Sequence, residues 1–163
     1  MGEIVDDFCI LAPKDPSNSY NKNLYINFNE NNDYHKMEFI TGCAMFFKME
    51  KLKKVGFFDE NIFLYLEEID LCKRIKEKNE KIYIDPNIKI LHLGGKSVNK
   101  VFAHQIELTR NWHWMWSLFY YNKKHFNYFY ALILVSPKFF SALFKVFIYR
   151  FILKNKKSEI YAK

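Results

Sequence analysis

The chain has 163 residues, enough for one domain of ordinary size and too few for two comfortable ones. Half of the residues are hydrophobic and 26% are charged, which excludes global disorder and a long coiled coil. The net charge of +7 is unevenly placed: Leu108 to Ser158 holds nine Lys and Arg and no Asp or Glu, so the rest is slightly acidic.

The N-terminus has neither a basic n-region nor an apolar h-region, and no secretory signal is expected. Cys9, Cys43 and Cys72 are odd in number, widely spaced and without a C-x-x-C pair, a pattern that fits a reducing compartment. Phe8 to Ala12 reads as a buried strand ending at Pro13. Residues 14 to 35 form a polar excursion with one strand candidate at Leu24 to Phe28. From Met37 to Met49 an apolar stretch is interrupted at Thr41-Gly42, where Gly42 marks a bend or a close approach of backbone to a ligand. Glu50 to Val55 reads as a short amphipathic helix stopped by Gly56.

Leu66 to Lys78 is the clearest predicted helix. Leu66, Ile69, Cys72 and Ile75 repeat every three residues as one apolar face, with Asp70 and Arg74 an i, i+4 pair of opposite charge. Its acidic first turn suits the positive end of the helix dipole. With Ile69 at the centre of the face, Glu68 falls about 100° round and Glu67 about 200° round. Glu68 is thus expected at the edge of the packed face, where a cleft can form. A partly desolvated carboxylate beside another acid is suited to general-base work, although acids also favour first helical turns simply as solvated groups. Two strands, Lys81 to Ile84 and Ile88 to Leu93, are predicted on either side of a break at Asp85-Pro86-Asn87. Gly94-Gly95 then opens a loop.

A helical tail is predicted from near Val101 to about Lys157. Seventeen of the chain's 31 aromatics lie in its last 56 positions. Its longest uncharged run, His125 to Pro137, has 13 residues and falls short of the about 20 that a membrane span requires. Lys138, Ser141, Lys145, Tyr149 and Lys156 share one narrow stripe, while Leu143, Phe144, Phe147 and Phe151 lie elsewhere. Such a helix suits the surface of an anionic membrane, or packing on the protein's own core or a partner subunit with its lysines in water. Trp112, Trp114 and Trp116 alternate and so spread over the helix instead of making one stacking platform; nucleic acid is not an expected partner.

Four segments taken together carry a resemblance. Thr41-Gly42-Cys43-Ala44-Met45 precedes Val55-Gly56-Phe57-Phe58-Asp59-Glu60. Then come Phe63-Leu64-Tyr65-Leu66-Glu67-Glu68-Ile69-Asp70-Leu71-Cys72-Lys73-Arg74 and His92-Leu93-Gly94-Gly95-Lys96-Ser97. In order and spacing, residues 8 to 125 resemble the C-terminal half of family 2 glycosyltransferases of the rhamnosyltransferase-like type. The resemblance implies an α/β fold: the C-terminal portion of a GT-A (nucleotide-diphospho-sugar transferase) fold with a mixed sheet, followed by the amphipathic helical tail. The division it implies begins with a partial catalytic domain over 1–107; the tail over 108–163 is expected, from its own basic and aromatic residues, to associate with a membrane surface.

By resemblance, Glu68 matches the family's catalytic base, with Glu where Asp is usual, and Glu67 supports it or positions the acceptor. Gly42, Asp59 and Phe63 match acceptor-side positions, and Lys96 and Ser97 a loop that closes over the donor. His92 matches a ligand of Mg²⁺ or Mn²⁺. The implied reaction is inverting transfer from a nucleotide-sugar donor to a lipid-linked or polysaccharide acceptor in cell-surface glycan synthesis, at the cytoplasmic face of the membrane. The Asp-x-Asp motif of the family's nucleotide-binding half is absent, and Asp6-Asp7 does not supply it. A separately encoded N-terminal half is therefore an expected partner. The alternative expectation is a non-catalytic, membrane-associated remnant or binding module from a truncated or split gene.

Overall fold

The structure is a computed structural model, and it describes residues 7–14, 34–91 and 102–148. Strand β1 spans Ile10–Lys14, β2 His35–Met37 and β3 Phe46–Phe47. Helix α1 spans Met49–Val55 and α2 Glu67–Glu77, followed by strand β4 over Ile82–Lys89. Helices α3, Ala103–His125, and α4, Tyr128–Phe147, complete the described elements. The architecture is mixed α/β, with a small mixed sheet and C-terminal helices. Two compact units are present. One combines residues up to Phe58 with those from Glu68 through β4; the other combines Asp59–Glu67 with α3 and α4.

In the first unit the strands lie in the order β2-β4-β1-β3. β1 runs parallel to β4, with Ile10 opposite Ile82 and Ala12 opposite Ile84, while β2 and β3 pair antiparallel at the two edges. Leu52 of α1 and Leu71 and Ile75 of α2 share one buried core with Cys9, Ile10 and Ile82 of the sheet side. Burial in this core pushes the thiols of Cys9 and Cys72 up to about 11, so both are packing groups and not nucleophiles at neutral pH. The strand candidate at Leu24 to Phe28 lies outside the described residues.

Two expectations about this unit are corrected. β1 continues through Pro13 to Lys14 instead of ending at Pro13. Asp85-Pro86-Asn87 does not separate two strands but forms an irregularity inside one. The register moves from Pro13 opposite Asp85 to Lys14 opposite Lys89, so the extra residues loop out of the ladder. The Asp85 carboxylate accepts from the Asn87 N–H at 2.8 Å, and the Ile90 N–H resumes pairing at Lys14 O at 3.0 Å. A local Asx turn is thereby absorbed without ending the strand.

α1 ends as its sequence predicts. Gly56 sits at φ 91° and ψ 153°, and its N–H donates to Leu52 O at 2.9 Å. That conformation is open essentially only to glycine. A Cβ added there would also lie 3.3 Å from Arg74 Nη1. Gly56→Ala is expected to cost about 1–3 kcal/mol of stability, measured by urea unfolding followed by circular dichroism.

In the second unit α3 and α4 pack against one another across the turn at Phe126-Asn127. Phe119 meets Tyr128 near the turn, and Trp114 meets Lys138 farther from it, so the helices run antiparallel. The Asn127 side chain caps α4 by accepting from the Tyr130 N–H at 2.8 Å. Pro137 lies inside α4 yet does not end it. Proline cannot donate to the carbonyl four residues back, that of Ile133, and Ser136 Oγ donates to this oxygen at 3.1 Å instead. Because the helix runs on past Pro137, the 13-residue uncharged run understates its apolar length. α4 has 20 residues, an 18-residue stretch with a mean hydropathy of 1.5 and little burial, and by length and composition alone it is long enough to cross a membrane.

Candidate functional site

α2 carries the acid pair, and its buried face differs from the predicted one. Leu71, Cys72 and Ile75 are fully buried, whereas Leu66 and Ile69 are only partly so. Glu68 lies one turn before Leu71 and Cys72, so it is aligned with the core-facing stripe instead of at its edge. The sheet selects the face that fills it best, and the three-residue repeat marked a neighbouring stripe. Glu67, the first residue of the helix, is partly buried.

Glu68 is engaged by Gly42 across 26 residues of sequence. The Gly42 N–H donates to Glu68 Oε1 at 3.3 Å, while Oε2 is buried with no hydrogen-bond partner among the described residues. The chain turns at Gly42-Cys43, and a Cβ on Gly42 would lie 3.6 Å from the Glu68 carboxyl carbon. Of the two expectations for Gly42, the structure shows the bend, and the backbone there approaches this carboxylate. Of the nominated residues, these two are brought together.

Behind them, Asp70 and Arg74 fix the helix. Asp70 is 0% exposed and accepts from Arg74 Nε at 2.8 Å. The same guanidinium donates to Val55 O at 3.2 Å, Gly56 O at 3.1 Å and Phe57 O at 2.7 Å. Arg74 thus satisfies the carbonyls left open where α1 ends, and its charge is balanced by the buried carboxylate. The expected i, i+4 pair is also a link between two helices.

Asp59 and Phe63 belong to the second unit, where Asp59–Glu67 is held against α3. Asp59 Oδ2 accepts from Lys124 Nζ at 2.7 Å and from the Tyr120 hydroxyl at 3.3 Å. Its Oδ1 accepts from the Asn61 backbone and side-chain N–H groups at 3.0 and 2.9 Å. Burial works to raise this carboxyl, but the Lys124 ammonium and the Asn61 donors outweigh it and hold the group well below the usual carboxylate range. Folding therefore favours the ionised form. The resulting stability is fully present above about pH 4 and is lost as pH falls through the lowered folded value. Asp59→Asn is expected to cost about 1–3 kcal/mol near neutral pH. Urea unfolding at a series of pH values should show that deficit narrowing on acidification.

Phe63 is 75% exposed and touches the His113 ring at 4.9 Å. Trp116 Nε1 donates to Asn61 O at 2.9 Å and Ser117 Oγ to Leu64 O at 2.7 Å; Arg110 Nε donates to the Tyr65 hydroxyl at 2.6 Å. These contacts hold an unusual backbone: Tyr65 and Leu66, immediately before the acid pair, have φ of 66° and 68°. Two successive left-handed residues without glycine cost on the order of 1–2 kcal/mol each and persist only where the surroundings impose them. Nothing in the sequence announces this pair. Ser117, a fully buried small polar residue within an aromatic stretch, is the one mark that could have pointed to the anchor.

The tryptophans also depart from expectation. Trp112 and Trp116, four residues apart, stack at 6.0 Å with 12° between planes, and Tyr120 continues the row. Trp114 faces elsewhere, against Tyr65. Helical spacing gathers Trp112 and Trp116 on one side.

His92, Lys96 and Ser97 lie outside the described residues. Among the described residues no three His, Cys, Asp or Glu side chains converge in a way that could hold Mg²⁺ or Mn²⁺. Glu68 Oε1 is moreover turned to a backbone N–H. The described residues do not by themselves form the implied ion site.

The class that this architecture defines is a mixed α/β protein with a small mixed sheet and C-terminal helices. Comparisons with known protein families, curated proteins and solved structures give no match.

Proposed function

We propose that the chain is the acceptor- and base-bearing part of an inverting family 2 glycosyltransferase, with Glu68 as the base. The observation that carries this reading is the Glu68 carboxylate. One oxygen is oriented by Gly42, the other is shielded from water with unused acceptor capacity, and the helix beneath is fixed by Asp70 and Arg74. A base needs a held carboxylate with a free lone pair. In this reading the acceptor enters by displacing the turn at Gly42, whose N–H bond to Glu68 Oε1 is long at 3.3 Å.

In the proposed step Glu68 Oε2 takes the proton of an acceptor hydroxyl as its oxygen attacks the anomeric carbon of the nucleotide sugar. The bond from that carbon to the diphosphate oxygen breaks, its electron pair leaves with the nucleoside diphosphate, and the configuration inverts. The test is release of nucleoside diphosphate by the full chain in Mg²⁺ buffer, alone and with a separately produced Asp-x-Asp half. Release that requires a glycan or lipid-linked acceptor is the expected result. No release from any nucleotide sugar in either arm would overturn the reading.

A further inference from the structure

We infer that α4 lies flat on an anionic lipid bilayer, inserting its phenylalanine-rich side and keeping its lysines toward water. At about 100° per residue, Phe129, Ile133, Phe140, Leu143, Phe144 and Phe147 fall within about 100° of arc. All six are exposed, from 47% at Leu143 to 75% at Phe129. They extend over about 27 Å of helix at 1.5 Å per residue. Ser136 is the one polar residue inside that arc, and its hydroxyl is turned to the Ile133 carbonyl. Large exposed apolar side chains gathered along one side of a helix mark a membrane or partner contact.

The opposite side is occupied differently. Ala131, Val135, Ala142 and Val146 form the buried or partly buried side of the helix, whose packing partner is α3. Lys138 and Lys145 lie about 150–170° from the centre of the stripe. Lys138 Nζ stands 5.5 Å from the Trp114 ring of α3, on the side away from the phenylalanines. An apolar side opposed by lysines, in a 51-residue stretch with nine basic and no acidic residues, matches the headgroup boundary of an anionic leaflet.

A crossing orientation fits the same helix less well. Lys138 is the eleventh of 20 residues and would sit near the middle of the hydrocarbon, where a charge is costly. Lying flat leaves both lysines at the water side. A second copy of the chain is the other possible cover for the stripe, but the lysine-rich surroundings of two copies would repel each other.

The inference is independent of the proposed chemistry, and its test reads no turnover. Full-length protein is floated with sealed phosphatidylcholine vesicles with and without phosphatidylglycerol. Flotation is expected, stronger with the anionic lipid, and Phe140→Glu with Phe144→Glu should reduce it by about tenfold or more while helix content by circular dichroism is unchanged. In a Lys138→Cys variant bound to sealed vesicles, residue 138 should react with a membrane-impermeant maleimide added outside, as read by peptide mass spectrometry. Protection of residue 138 would overturn the flat orientation in favour of a crossing helix. Absence of flotation, with a dimer that the glutamate variants dissociate, would overturn the membrane and assign the stripe to self-association.

Discussion

Glu68→Gln is expected to lower acceptor-dependent transfer by about 10²–10⁴-fold in kcat, the usual contribution of a positioned base. The substitution is informative because glutamine keeps almost everything except basicity. Its carbonyl oxygen can still accept from the Gly42 N–H, which is bound at 3.3 Å in the native chain, and its volume is nearly the same. Unfolding by urea should therefore change little, and donor binding should persist. Glu68→Asp, one methylene shorter, draws the carboxylate away from Gly42 and should retain part of the rate. If Glu68 served only to orient the turn at Gly42, glutamine would leave turnover intact and aspartate would be the more damaging change. The two variants thus rank in opposite orders for a base and for a structural tie.

Arg74→Met should cause the largest loss of stability, about 3–5 kcal/mol, because it strands a fully buried Asp70 carboxylate without its counter-charge. It also removes the donor shared by Val55, Gly56 and Phe57 carbonyls. Denaturant unfolding monitored by circular dichroism reads the effect. Pairing Arg74→Met with Asp70→Leu removes the stranded charge, so part of the loss should return. The carbonyls at the end of α1 stay unpartnered, and the remainder should not. Arg74→Lys is expected to fall well short of the native residue, since one ammonium cannot reproduce the planar fork that reaches four oxygens at once.

Local chemistry made some of the fold legible. Gly56 marks the end of α1 because only glycine suits φ 91° with ψ 153°. The extent of α2 followed from its charge pattern and apolar repeat, within about one residue at each end. The pairing of Asp70 with Arg74 was visible from helical spacing, but the three carbonyls that Arg74 also reaches lie 17 to 19 residues away. Tertiary packing decided the rest. The sheet chose Leu71 over Ile69, which moved Glu68 from the edge of the buried face into line with it. Asp85-Pro86-Asn87 looks like a strand break locally, yet β1 supplies partners on both sides of it. Pro137 looks like a helix break until Ser136 takes up the carbonyl it leaves open. The approach of Gly42 to Glu68 joins segments 26 residues apart and has no local signature.

The role proposed for Glu68, a base and not a nucleophile, fixes the stereochemistry expected of the product. A single displacement by a deprotonated acceptor inverts the anomeric centre, whereas attack by the carboxylate itself gives a glycosyl ester and, after a second displacement, net retention. The most direct measurement is proton NMR of the earliest linked product, with mass spectrometry of the peptide containing Glu68 during turnover. Opposite anomeric configuration to the donor and an unmodified Glu68 are the expected results. The same configuration as the donor, with a sugar attached to Glu68, would contradict the account.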